Sequence, residues 1–218
     1  ATVSYMYDFR YSVDFNVRGD MSSQFGADSK LKPFWSVGAR WNASREKWLE
    51  GTAISNLVLR TSYGITGSQN YDPYQAIEGY TFEEMMFQYL SSGVIGSKLK
   101  GFGNPDLDWS TTEDFSAAIE LGFFNNDLTL SLDYFVKKNV DLLAQIDLNL
   151  SSGQIFEINS SREKPYVNTA SVKNTGWEFM MNYRKQLTKD FHIDATFNIA
   201  TLKNKVLSLG ENVQPITS

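Results

Sequence analysis

Tyr5-Met6-Tyr7-Asp8-Phe9-Arg10-Tyr11-Ser12-Val13-Asp14-Phe15-Asn16-Val17-Arg18 alternates an apolar or aromatic residue with a polar one at almost every step. The odd positions are all apolar or aromatic, and Met6 is the one break in the polar row. Extended chain sends alternate side chains to opposite faces, so a period of two predicts one strand from 5 to 18 with an apolar face and a wet face. At about 3.3 Å per residue it would be roughly 45 Å long, beyond the usual soluble strand of about 5–6 residues.

The pattern recurs six times, predicting seven strands in all. Trp35, Val37, Ala39 and Trp41 alternate with Ser36, Gly38, Arg40 and Asn42, and Leu57, Leu59, Thr61, Tyr63 and Ile65 with Asn56, Val58, Arg60, Ser62 and Gly64. Phe115 to Phe123 repeats it, and after an Asn125-Asn126-Asp127 turn so does Leu128 to Val136. Thr175, Trp177, Phe179, Met181 and Tyr183 form a sixth apolar row, and Phe191, Ile193, Ala195, Phe197 and Ile199 a seventh.

Composition agrees. The chain holds 11 Tyr, 15 Phe and 5 Trp against 5 Pro, which favours laterally packed extended chain. A net charge of −5 without basic clustering argues against a nucleic-acid partner. The absence of cysteine removes disulfide frameworks and thiolate metal sites. No apolar run reaches the roughly 18 residues of a spanning helix, and Ala1-Thr2-Val3-Ser4-Tyr5 shows neither the basic nor the apolar part of a signal peptide. A membrane barrel stays open, because its strands need only alternate over about ten positions.

One-faced strands also suit a soluble all-β sandwich, for instance a carbohydrate-binding module. The links distinguish the two. Those near 19–33, 66–112, 138–173 and from 204 onward are long, whereas 124–127 and 185–190 are short and 44–55 is intermediate. Long links at one rim and short ones at the other match an outer-membrane barrel with long extracellular loops and short periplasmic turns. Tyr5, Tyr7, Trp41, Phe123, Tyr183 and Phe191 fall beside the short-link rim, where amphipathic rings sit at headgroup level. Tyr11, Val13 and Phe15 are expected to face lipid.

No enzyme site emerges, and no catalytic residue, metal or cofactor is expected. His192 is the single histidine and supplies neither a triad nor a ligand cluster. Glu83-Glu84 and Glu113-Asp114 are sequence neighbours whose side chains point apart, and Gly101-Phe102-Gly103-Asn104 lacks the lysine of a phosphate loop.

Several strings in order carry a resemblance. They are Arg18-Gly19-Asp20-Met21-Ser22-Ser23-Gln24-Phe25-Gly26, Pro33-Phe34-Trp35-Ser36-Val37-Gly38, Leu57-Val58-Leu59-Arg60-Thr61-Ser62-Tyr63-Gly64-Ile65-Thr66-Gly67-Ser68-Gln69, Gly103-Asn104-Pro105-Asp106-Leu107-Asp108-Trp109, Asp141-Leu142-Leu143 and Val172-Lys173-Asn174-Thr175-Gly176-Trp177-Glu178. Together they resemble the C-terminal barrel half of the SusC/RagA-like TonB-dependent transporters. The resemblance implies that 1–218 is a seven-strand antiparallel part of a barrel of about 22 strands in the bacterial outer membrane, without the plug and the N-terminal region that meets the TonB complex. It further implies import of oligosaccharides or peptides with a SusD-like surface lipoprotein as partner.

On that reading Arg10, Asp14, Arg18 and Arg60, with Asp114, Glu120, Asp133 and Glu178, are candidates to face the lumen or the plug. Gly64, Gly67, Asn104-Pro105-Asp106 and Trp109 read as scaffold: close approach, a turn, and an anchor returning the chain to the wall. Tyr71, Tyr74, Tyr80, Phe82, Phe87 and Tyr89 are candidate ligand or partner contacts in the extracellular loop 66–112, where the spacing of Phe82, Met86 and Tyr89 or Leu90 predicts a short helix from Phe82 to Leu90.

Overall fold

Alternation becomes architecture through register. The computed structural model describes residues 1–22, 31–68, 76–84, 95–101, 103–146 and 166–209. In chain order the strands are β1 (Thr2–Tyr7), β2 (Tyr11–Met21), β3 (Leu31–Asn42), β4 (Ile54–Ser68), β5 (Gly79–Glu84), β6 (Ile95–Gly101), β7 (Ser110–Phe123), β8 (Leu128–Gln145), β9 (Tyr166–Gln186) and β10 (His192–Ser208). Eight of them form one antiparallel sheet in the order β1-β2-β3-β4-β7-β8-β9-β10, while β5 and β6 pair only with each other.

The main sheet thus has eight strands where alternation predicts seven, because the stretch 5–18 is a hairpin. Asp8 and Phe9 take φ values of 49° and 51°, turning the chain so that Tyr7 pairs with Tyr11, Tyr5 with Val13 and Ser4 with Asp14. Each pair joins residues of equal parity, so the odd side chains stay on one face through the turn. Period two is therefore blind to a turn of this kind. A second correction falls on the long link: Phe82, Glu83 and Glu84 belong to a strand and not to a helix, and residues 85–94 lie outside those described.

Across the sheet the register holds each face in phase. One row runs Tyr11–Trp41–Leu59–Ile119–Leu132–Phe179–Ile199. Ring pairs lie on this apolar face: Tyr11 with Trp41 at 6.3 Å, Trp35 with Tyr63 at 5.6 Å, Tyr134 with Trp177 at 4.6 Å and Phe179 with Phe197 at 6.4 Å. No second sheet covers it among the described residues, and Phe15 (44%), Trp177 (50%) and Phe197 (50%) stay exposed. A sandwich would bury that face.

The short links share one edge, and their positions drift. The β1–β2 link leaves the row just given at Tyr7 and Tyr11, the β7–β8 link leaves from Phe123 and Leu128, four residues lower, and the β9–β10 link from Gln186 and His192, seven residues lower. Seven residues at ~3.3 Å over six inter-strand steps of ~4.8 Å put the strands at roughly 40° to the normal of that rim, the tilt of transmembrane barrels.

At the short-link edge the β3–β4 connection makes two 3-10 turns, Ala43–Arg45 and Lys47–Leu49. Between them Glu46 accepts hydrogen bonds from the Tyr11 hydroxyl (2.8 Å) and the Trp41 indole (3.4 Å) and pairs with Arg10 at 3.3 Å. The Tyr11 bond is the main reason its carboxyl titrates below the usual range, with Trp41 and Arg10 adding to it against partial burial. At the opposite edge Asn104 to Trp109 form a strap. The Asn104 amide donates to the Tyr166 carbonyl, Asp108 meets Lys32 at 2.8 Å, and Asn168 donates to the carbonyls of Asp108 and Asp141. Beneath it Phe34 and Trp109 are buried edge to face at 5.6 Å, and Leu107 is fully buried. A Cβ at Gly67 would overlap the Phe34 ring. The expected turn at Asn104-Pro105-Asp106 and the Trp109 anchor are both present, and the Asn125 turn is made by three left-handed residues, Phe124, Asn125 and Asn126.

Two outcomes follow. Gly67→Ala must displace the Phe34 ring from its packing with Trp109 and should cost about 1–3 kcal/mol, read as an earlier thermal loss of the compact form in detergent. Glu46, whose pKa is lowered on folding, stabilises the rim above its unfolded pKa, and that contribution is lost as pH falls through the lowered value. Glu46→Gln should remove most of this acid-side dependence, measured by the same melting curves against pH.

Candidate functional site

The face opposite the rings carries the charge. Its central row is Met6–Ser12–Arg40–Arg60–Ala118–Asp133–Glu178–Ala200. Two arginines stand as cross-strand neighbours on β3 and β4, and two carboxylates as neighbours on β8 and β9. Like charges directly opposite disfavour a sheet, so the wall needs counter-charges. Arg60 supplies one link: it meets Glu120 at 2.8 Å and reaches over the small Ala118 to Asp133 at 3.6 Å. Asp133 also accepts from the Ser131 hydroxyl at 2.7 Å. Glu178 makes no ion pair among the described residues.

Above this belt the row Ser4–Asp14–Gly38–Ser62–Ser116 is floored with small side chains, Ser62 and Ser116 sharing a hydrogen bond at 2.8 Å. Floor and belt enclose a shallow basin of about 490 Å³, open on one side, with Asp14, Arg40, Arg60 and Asp133 at its walls. Higher still, Asp114 pairs with Lys137 at 3.3 Å. Arg18 pairs with Asp20 at 3.1 Å and lies over the Phe34 ring at 5.6 Å.

Seven of the eight charged candidates therefore lie on strands of one face: Asp14, Arg18, Arg60, Asp114, Glu120, Asp133 and Glu178. Arg10 sits instead in the turn between β1 and β2, paired with Asp8 at 2.9 Å and with Glu46. Its even parity suggests the wall, but residues 8–10 form the turn and Glu46 draws it toward Tyr11 and Trp41. Arg40 and Lys137 join the belt although neither is among the charged candidates; the same alternation identifies both. Tyr80 and Phe82 are exposed on β5, the Tyr80 hydroxyl donating to Glu78 at 3.1 Å, which raises its pKa. Tyr71, Tyr74, Phe87 and Tyr89 lie outside the described residues. Among the described residues no group of three or more His, Asp or Glu is placed to hold a metal ion.

Comparison with known proteins agrees with this geometry. The family model described as TonB dependent receptor-like, beta-barrel matches residues 1–214. TonB-dependent receptor P26 of Formosa agariphila is 32% identical over 211 residues, 95% of this chain and 20% of that protein. TonB-dependent receptor SusC of Bacteroides thetaiotaomicron is 31% identical over 204 residues, 92% of this chain and 20% of that protein. The structure of the RagAB peptide importer in its closed-closed state superposes with a TM-score of 0.84 at 27% identity, covering 97% of this chain and 22% of the other. The chain thus spans about a fifth of the length of the relatives it matches. With one uncovered apolar face, one ionic face and strands tilted against their rim, it belongs to the TonB-dependent receptor β-barrel family, as outer-membrane wall of the SusC/RagA type.

Proposed function

We propose that the chain supplies eight adjacent strands to a transporter barrel of about 22 strands, which imports oligosaccharides or peptides with TonB and a SusD-like lipoprotein. The observation that carries this reading is the in-phase register, which gives an unbroken apolar face over eight strands backed by an ionic face. In a bilayer every backbone polar group must pair, so the outer edges of β1 and β10 call for neighbouring strands. The short links then lie on the periplasmic side and the strap and the β5–β6 hairpin on the extracellular side. Peptide cargo is supported by the likeness to the RagAB peptide importer.

The ionic face is the lumen wall in this reading. The basin over Gly38, Ser62 and Ser116 leaves room for a plug or a passing substrate, and the belt offers cationic and anionic contacts on neighbouring strands. Arg60→Gln should change stability by less than about 1 kcal/mol, because the ion pairs are about half exposed, while altering uptake measured with labelled cargo. Equal uptake would remove Arg60 from the pathway.

The hairpin resets depth along β2. Val13 lies two residues from the turn, so it is near the periplasmic rim, and Phe15 is closer to mid-depth. In the complete transporter Phe15→Arg should cost about 2–4 kcal/mol and Val13→Arg about 0–1 kcal/mol, with Asn16→Arg on the opposite face tolerated, measured by folding into vesicles. Equal costs for Phe15 and Asn16 would sink the membrane assignment. Replacing 72–100 by a short flexible linker should leave insertion intact, since the strap from Asn104 is kept, and should abolish uptake or lipoprotein binding. Unchanged uptake would remove the loop from the capture step.

A further inference from the structure

The apolar face ends in lysine. On β8 the outward residues Leu128, Leu130, Leu132, Tyr134 and Val136 are followed by Lys138, on β9 Trp177 and Thr175 by Lys173, and on β10 Ile199 and Thr201 by Lys203 and Lys205. The register places Lys138 opposite Lys173 and Lys173 opposite Lys205, in the same phase as Leu132, Phe179 and Ile199. Their side chains therefore leave the sheet on the face of the rings. The ion pair of Lys138 with Glu113 at 3.6 Å fixes that direction, since Glu113 shares the odd parity of Phe115 on β7.

Three cross-strand lysines in a row repel one another in a bare sheet. Glu113 neutralises one. Lys173, Lys203 and Lys205 make no ion pair among the described residues. Depth identifies the missing anion. Lys138 lies ten residues beyond the turn at Leu128, and at ~3.3 Å per residue and a tilt near 40° it stands about 25 Å above the periplasmic rim, the height of a barrel's apolar band. Lys203 and Lys205 follow His192 by 11 and 13 residues, which puts them roughly 28–33 Å up, in the headgroup layer. Long cationic side chains at that level extend along the apolar surface and hold their ammonium groups among lipid headgroups.

We propose that Lys173, Lys203 and Lys205, beside the Lys138–Glu113 pair, form a docking surface for the phosphate groups of an outer-leaflet glycolipid. This rests on the membrane orientation proposed above. Neighbouring strands are ~4.8 Å apart, so the ammonium groups spread over the span of a headgroup bearing more than one phosphate. Charge complementarity favours a phosphorylated lipid over a neutral one.

The test uses the complete transporter purified in detergent, exchanged against bisphosphorylated lipid A or its dephosphorylated form, with retained lipid counted by native mass spectrometry. The unmodified protein should retain the phosphorylated form preferentially and lose it as salt is raised. The triple substitution K173Q/K203Q/K205Q should weaken that retention by roughly a hundredfold at low salt, from about fivefold per lysine, while K137Q, on the lumen face, should not change it. No preference in the unmodified protein, retention by the triple variant equal to it, or an equal loss in K137Q each overturns the proposal. The first of these needs no variant to fold. Failure of the membrane reading is distinct: the protein would stay monodisperse without detergent and retain neither lipid.

Discussion

Everything in this sheet depends on a backbone constraint. Inside hydrocarbon no water is available to satisfy an N–H or C=O, so each strand must pair with its neighbours along its whole length. Continuous pairing fixes register, and register fixes which side chains share a face. The polar and apolar rows are thus consequences of one ladder. A slip of one residue between β8 and β9 would carry Glu178 to the side of Tyr134 and Trp177 to that of Asp133, placing a carboxylate against lipid. In the β8–β9 and β9–β10 ladders the register shifts fall between Asn139 and Leu142, between Leu142 and Leu143, and between Val206 and Ser208, all above the lysine row, where a bulge no longer meets hydrocarbon.

The two rims solve different problems. At the short-link rim the chain must reverse within a few residues at the headgroup boundary, and Glu46 lets it do so by gathering the Tyr11 hydroxyl, the Trp41 indole and Arg10. Aromatic rings with a polar tip suit that boundary because body and tip prefer different media. At the long-link rim the strands emerge into water and need packing of their own. The Asn104 to Trp109 strap provides it, linking Lys32 of β3 with Tyr166 and Asn168 of β9 across the intervening strands. Described residues buried below 5% are few, and Phe34, Leu107 and Trp109 are gathered here.

Alternation makes legible whatever the ladder dictates and nothing else. Seven predicted strands have counterparts, and the turn at Asn125 and the anchor at Trp109 are where the residues suggest. The β1–β2 hairpin is hidden because its pairing joins residues of equal parity, and its turn, Asp8-Phe9-Arg10, lacks the glycine or asparagine that ordinarily marks left-handed backbone. The upper parts of β8, β9 and β10 are hidden for another reason: beyond Lys138, Lys173 and Lys205 both faces meet polar surroundings, so the sequence loses its period while the ladder continues. β5 is missed because Phe82, Met86 and Leu90 fit helical spacing over too short a window to exclude a strand. Of the polar-face belt, the row membership is legible from parity. Arg60 reaching Asp133 is not, since it depends on Ala118 lying between them in the folded sheet.

Like-charge neighbours stand on both faces of the sheet, and their compensation differs. On the ionic face Arg40 beside Arg60 and Asp133 beside Glu178 are only partly compensated, by Arg60 crossing to Glu120 and Asp133. On the lipid side Lys173 and Lys205 stand together with Glu113 two strands away from Lys173. A sheet evolved for stability alone would interleave opposite charges, since each favourable cross-strand pair contributes about 0.2–1 kcal/mol. The ionic face has both signs, arginines on β3 and β4 and carboxylates on β8 and β9. Beyond the Lys138–Glu113 pair, the ring-bearing face carries Lys173, Lys203 and Lys205, one sign within a narrow band that suits an array of anions. The same ladder therefore carries two charge patterns that are set independently, because alternate residues never share a face.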